Sequence, residues 1–139
     1  MKILRLTMLA MVFILGSALT EAKPIMTDRV WAFGFSASFK DSIIYVTDVQ
    51  NVEGAWIETK HNLLLGRDEY SRQLKNYLAN TKGEPGRVCV VFFELNRKKA
   101  EKQFKKLMKK YKKGYEVRFL NSNEFRFEAI EALPDDERA

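Results

Sequence analysis

Two hydrophobic periods run along this chain, and the points where one gives way to the other mark its elements. From Val30 to Phe39 large and small side chains alternate, with Trp31, Phe33, Phe35, Ala37 and Phe39 on one face and Ala32, Gly34, Ser36 and Ser38 on the other. A period of two is that of a half-buried strand, and it sends the aromatic face to the core. The small face reads as packing, small residues set opposite large ones, in preference to a shallow site. Lys40-Asp41-Ser42 breaks the alternation as a turn, and the β-branched run Ile43 to Val49 completes a predicted β-hairpin. Between Gln50 and Asn62 the pattern is interrupted at Gly54, and Val52, Trp56 and Ile57 fit either a short irregular strand or a helical turn.

The period then lengthens. Tyr70, Leu74, Tyr77 and Leu78 recur at helical spacing from about Arg67 to Asn80, with Asp68 and Glu69 in the first turn, where the helix dipole favours carboxylates. Lys82-Gly83-Glu84-Pro85-Gly86 stops that helix. In Val88 to Phe93 both faces are apolar, which predicts a central strand covered on both sides. A second helix follows, with Asn96 as N-cap, a stripe of Ala100, Phe104, Leu107, Met108 and Tyr111, and Gly114 as C-cap. Tyr115, Val117 and Phe119 then alternate with Glu116 and Arg118 in a strand with one buried face. Strand, helix and strand in so short a span predict a right-handed βαβ crossover with two parallel neighbours. After the turn Asn121-Ser122-Asn123, Phe125 and Phe127 alternate with charged residues in an expected edge strand, which offers a route to a homodimer. The fold class is α/β (α+β): a single small domain with a mixed sheet of four or five strands and two helices, in the order ββαβαβ with a possible final β.

The ends read differently. Lys2 and Arg5 precede an apolar run from Leu6 to Leu19 that closes on small residues, the pattern of a secretory signal peptide cleaved after Ala22. The expected mature chain is therefore exported, to the periplasm or beyond, and carries no further apolar run of transmembrane length. Its lead-in, Lys23 to Arg29, reads as irregular because of Pro24. The domain is expected to run from residue 23 to residue 133, and residues 134–139 read as a disordered tail. The only cysteine, Cys89, lies inside the predicted central strand, so neither an internal disulfide nor a lipid-modified N-terminus is expected, and its thiol reads as a small buried hydrophobe.

Charge adds the one strong functional signal. The chain carries 24 basic and 18 acidic residues, and loss of Lys2, Arg5 and Glu21 with the signal peptide leaves 22 against 17, a net charge of +5. That excess is local to Arg97–Lys113, where nine lysines and one arginine face a single acid, Glu101, and the rest of the mature chain is net acidic. A helix so charged favours an anionic envelope surface or an acidic protein, with Lys98, Lys102, Lys105, Lys106 and Lys109 as candidate contacts. An exported chain has no cognate nucleic acid among its expected partners.

The segments SFKDS (Ser38 to Ser42), YVTD (Tyr45 to Asp48), RDEYSRQLKNYL (Arg67 to Leu78), RVCVVFF (Arg87 to Phe93) and KKAEKQFKKLMKKY (Lys98 to Tyr111) together resemble a family of small exported proteins from Gram-negative gut bacteria. The resemblance spans nearly the whole mature chain. It implies an envelope location and a single domain, and it carries no catalytic residues with it.

The remaining chemistry is sparse. Lys40, Asp41 and Ser42 at the hairpin turn, with Arg67 at the start of the first helix, form a second candidate binding site, since turns and helix N-termini present polar groups to ligands. Ser42, Asp41 and the only histidine, His61, are the members of an alternative reading, a small hydrolase or transferase, though no nucleophile-elbow motif accompanies them. One His and one Cys do not make a zinc site, the aspartates lack EF-hand spacing, and no phosphate-binding or dinucleotide loop is present, so no metal or cofactor is expected. The reading is an exported, non-enzymatic binding or accessory protein of the cell envelope.

Overall fold

The computed structural model describes residues 23–131; the segment read as a signal peptide and the tail lie outside them. Eight strands and two helices follow one another: β1 (Pro24–Thr27), β2 (Val30–Ala37), β3 (Ile43–Thr47), β4 (Gln50–Val52), β5 (Ala55–Glu58), β6 (Leu63–Leu64), α1 (Arg67–Asn80), β7 (Val88–Glu94), α2 (Arg97–Tyr111) and β8 (Glu116–Leu120). A five-stranded mixed sheet is built around β2. One side of β2 pairs antiparallel with β7, from Trp31↔Glu94 to Ala37↔Val88. Its other side pairs with β3 near Phe35 and with β4 near Val30, two strands lying end to end along it. Outside β3, β8 runs parallel in the register Ile43↔Glu116 to Thr47↔Leu120. Strands β1, β5 and β6 make a separate three-stranded antiparallel sheet.

The helices cover opposite faces of the larger sheet. Alternation in β2 turns Ala32, Gly34 and Ser36 towards α1, whose Tyr70, Leu74 and Leu78 are fully buried. Gly34 is the point of closest approach: a Cβ there would sit 2.6 Å from Cδ2 of Leu74 and 3.1 Å from Cζ of Phe127. The small face of β2 is thus the packing solution expected of it. On the other face Phe33 and Phe35 support α2 through Phe104 (ring centroids 5.4 Å apart) and Tyr111 (5.0 Å). Asn96 caps α2 as anticipated, its side chain accepting from the Lys99 amide at 3.2 Å.

Several expectations are corrected. β7 is an edge strand and not a central one; its apolar residues on both faces arise because one row, with Val91, packs under α1 while Phe92 packs under α2. Its first residues, Val88 and Val90, stay exposed. The Nε of Arg67 donates to the Val91 carbonyl at 3.0 Å, occupying one acceptor of this strand, as edge strands require if they are not to recruit further strands. The crossover through α2 joins parallel strands, β7 and β8, that are not neighbours: β2 and β3 lie between them. The lead-in is not irregular, because Pro24 opens β1 at a sheet edge, where a missing N–H is tolerated. The unresolved stretch after Gln50 forms β4 and β5, joined through Gly54 with φ 77°.

Two aromatic assignments also change. Phe39 is not in the core, because β2 ends at Ala37 and the ring projects 97% exposed from the hairpin tip. Phe125 and Phe127 are buried but form no strand; the segment runs extended beneath α1, held by side-chain amides. Gln50 donates from Nε2 to the Phe125 carbonyl (2.8 Å) and accepts at Oε1 from the Phe127 amide (3.0 Å). Gln73 treats Glu128 the same way, and the Tyr70 hydroxyl accepts from the Ile130 amide at 3.0 Å. Side chains thus satisfy much of this segment's backbone, and Phe127 lies against Tyr70 (6.2 Å), so the segment is part of the core and not an edge strand of the sheet.

Two stability measurements check this packing. Gly34→Val should cost about 1–3 kcal/mol in denaturant unfolding, because the added methyl groups meet fully buried Leu74; an unchanged midpoint would mean that α1 is not seated on β2. Gln50→Leu leaves a buried carbonyl and a buried amide without partners, at about 1–3 kcal/mol for each. Accelerated amide exchange at Phe127, ahead of β2, is the accompanying sign.

Candidate functional site

α2 runs along β2 in the same direction, from Arg97 over the Trp31 ring (5.2 Å) to Tyr111 over Phe35. Its C-terminal end therefore lies towards the tip of the β2–β3 hairpin. The apolar stripe faces the sheet, and Lys98, Lys102, Lys105, Lys106 and Lys109 are all exposed on the outer surface. Glu101, the only acid on the helix, is taken by Arg97 Nε at 2.9 Å. None of the α2 lysines forms an ion pair among the described residues. The candidate contacts on this helix thus share one continuous solvent-facing surface with an uncompensated positive field.

The lysines fall into rows on the two flanks of the helix. Towards β7, Lys99, Lys102 and Lys106 line a recess with Glu94 and Gln103. Towards β8, Lys105, Lys109 and Lys112 rim a groove floored by aromatic and aliphatic side chains. That groove exists because α2 lies over β2 and β7 and does not reach the β8 edge. Tyr115 and Phe119, expected in a buried face, are exposed as a result, Phe119 at 61%.

The hairpin-turn residues are occupied locally. Asp41 accepts from the Ile43 amide at 3.0 Å, closing an Asx-type turn, and lies 3.5 Å from Arg87 Nη1. The Ser42 carbonyl accepts from the Glu116 amide at 2.9 Å. Lys40 is exposed beside Phe39. Arg67 does not join them: its guanidinium donates to Val91 and lies 5.6 Å from the Phe93 ring centroid, near the other end of the sheet. His61 is likewise remote from Ser42 and Asp41. It pairs through Nδ1 with Glu58 (3.4 Å), and its neighbour Asn62 lines a recess with Phe93 to Asn96. The two ends of β7, which mark these locations, stand about 20 Å apart at ~3.3 Å per residue. Serine, aspartate and histidine are therefore not within proton-transfer reach, and the geometry supplies no nucleophilic site from them.

Arg87 was not marked by any sequence pattern. Its side chain is 1% exposed, with Nε donating to Ser36 Oγ (3.1 Å), Nη2 donating to the Ile43 carbonyl, and Asp41 and Glu84 at 3.5 and 3.8 Å. The guanidinium also sits 4.9 Å from the Tyr45 ring centroid. A buried charge supplied in this way is a structural clasp between the hairpin tip and the start of β7. Nothing but the abrupt charge ahead of an apolar run could have flagged it.

Burial pushes the Cys89 thiol above its ordinary range, against the opposing pull of Ser36 and Arg87. Among the described residues there is no cluster of three His, Cys, Asp or Glu side chains placed to hold a metal, and no helix long and apolar enough to cross a membrane. The arrangement defines a mixed-sheet α/β domain whose distinctive surface is a lysine-covered helix. No family model, curated protein or solved structure matches the chain.

A thiol held in this way should react with a disulfide reagent at neutral pH at least about tenfold more slowly in the folded chain than in the urea-unfolded chain. Equal rates would show an accessible thiolate at this position.

Proposed function

We propose that the chain is an exported, non-enzymatic accessory protein of the cell envelope that uses α2 to hold an anionic surface. The observation that carries this reading is the imbalance along the helix and the two residues after it: nine lysines and one arginine from Arg97 to Lys113 against one acid, which Arg97 already neutralises. Basic residues held near an anionic bilayer contribute about 1 kcal/mol each, so an array of this length is enough for retention without a shaped pocket. Phe39 adds to it. The ring stands free at the hairpin tip beside Lys40, at the end of the sheet towards which α2 points its last lysines. Exposed rings of this kind favour the headgroup level of a membrane. The turn residues Asp41 and Ser42 have structural roles that account for them, and they are not part of the proposed contact.

Retention of residues 23–139 on anionic and neutral vesicles, measured across a salt series, tests the reading. Binding should be confined to anionic vesicles and should fall away towards about 1 M salt, where the screening length shrinks to about 3 Å. Replacing Lys102, Lys105, Lys106 and Lys109 with glutamate removes at least about 4 kcal/mol of attraction, close to three orders of magnitude in partitioning. Equal retention on neutral vesicles, or an unaltered quadruple variant with native circular dichroism, would defeat the proposal and leave the helix a solubilising face.

A further inference from the structure

The β8 flank of α2 holds a site of a different kind from a charged surface. Phe104, Met108, Tyr115, Val117 and Phe119 enclose a groove of about 510 Å³, within the size range of small-molecule sites. The lining is overwhelmingly apolar. Its polar rim is Lys105, Lys109 and Lys112, which at spacings of four and three residues stand on one side of the helix. No carboxylate enters the groove, because alternation along β8 turns Glu116 to the opposite sheet face, where Arg118 Nη2 holds it at 3.2 Å. From Phe104 to Lys112 the helix provides a wall about 12 Å long at ~1.5 Å per residue.

A recessed hydrocarbon floor under a purely cationic rim selects a ligand with an apolar body and one anionic head. We infer that the groove binds a monomeric long-chain carboxylate, the chain lying along Phe104, Val117 and Phe119 and the carboxylate held by the rim lysines. Charge complementarity separates this occupant from the others. A second copy would set the same three lysines against these three. A peptide strand would pair with the free backbone edge of β8 and would not need the cationic rim. A bilayer would be met across the whole lysine array and Phe39, whereas this groove is confined to the β8 flank, between α2 and the rings of Tyr115 and Phe119. The inference shares Lys105 and Lys109 with the surface reading and does not require it.

Calorimetric titration of residues 23–139, which contain the whole described fold, with octanoate, decanoate and dodecanoate below their micellar concentrations and with dodecanol below its solubility limit tests this inference. One molecule should bind per chain, with affinity rising about fourfold per methylene from ~0.8 kcal/mol per buried CH2. Dodecanol should bind about threefold more weakly than dodecanoate, and that preference should vanish in the triple variant Lys105→Gln, Lys109→Gln, Lys112→Gln. Phe119→Asp should abolish binding; because Phe119 is exposed, the variant should keep its native circular dichroism. Phe119→Trp supplies a second reading, a blue-shifted indole emission that saturates with dodecanoate. Affinity indifferent to chain length, binding undiminished in Phe119→Asp, or self-association blocked by that substitution would each overturn the assignment. Vesicle retention of the native chain with no dodecanoate binding would sink the groove and spare the surface reading, and the opposite result would do the reverse.

Discussion

The two helices stand at different heights above one sheet because β2 carries rings on one face and almost nothing on the other. Where Gly34 replaces a side chain with empty space, Leu74 enters it, and α1 sinks until three of its residues lose all contact with water. On the opposite face Phe33 and Phe35 hold α2 away from the backbone, and Ala100 is its one fully buried residue. Apolar burial, the main favourable term in folding, is thereby concentrated on the α1 side. The apolar stripe of α2 itself is left with side chains half in water, and both flanks of that helix are open.

Much of this was legible in the chain and some of it was not, for reasons that differ by residue. The periods of β2, α1 and α2 are strong because each element has a single dominant buried face, and the Asn96 cap follows from chemistry confined to four residues. The basic surface of α2 was equally plain, since its lysines point to solvent whatever the tertiary arrangement. Strand order was not legible: residues Val88 to Phe93 look the same whether a strand neighbours them on two sides or helices press on both faces. Tyr115 and Phe119 carry a buried-strand pattern, yet exposure depends on how far α2 reaches sideways, which no local period encodes. Phe125 and Phe127 alternate like a strand, but the side-chain partner of their backbone is Gln50, and that of the following Glu128 is Gln73, both more than fifty residues earlier.

Charge is distributed with the same asymmetry. Acids are not scarce in the domain, but several are committed away from α2: Glu124 to Lys82 at 3.2 Å, Glu116 to Arg118 at 3.2 Å, Asp41 and Glu84 to Arg87. The bond to Lys82 holds the Glu124 carboxyl below its usual range. Tyr45 lies between two guanidinium groups, Arg87 at 4.9 Å and Arg118 at 5.8 Å, and its hydroxyl accepts from Arg118 at 3.2 Å. Lys82, Arg87 and Arg118 are thus paired or stacked, whereas the lysines of α2 form no ion pair among the described residues.

The extended segment beneath α1 also bears on when the domain can form. Phe125, Phe127 and Ile130 complete the core around Tyr70 and Leu74, and they come some fifty residues after them. A polypeptide made from its N-terminus has synthesised α1 some fifty residues before the side chains that cover it exist. Until then the buried face of α1 has no lid, and β3 still lacks its parallel neighbour β8. The core therefore stays open on this side until residues 125–130 have been made, and no shorter N-terminal stretch of the domain contains all of its packing partners.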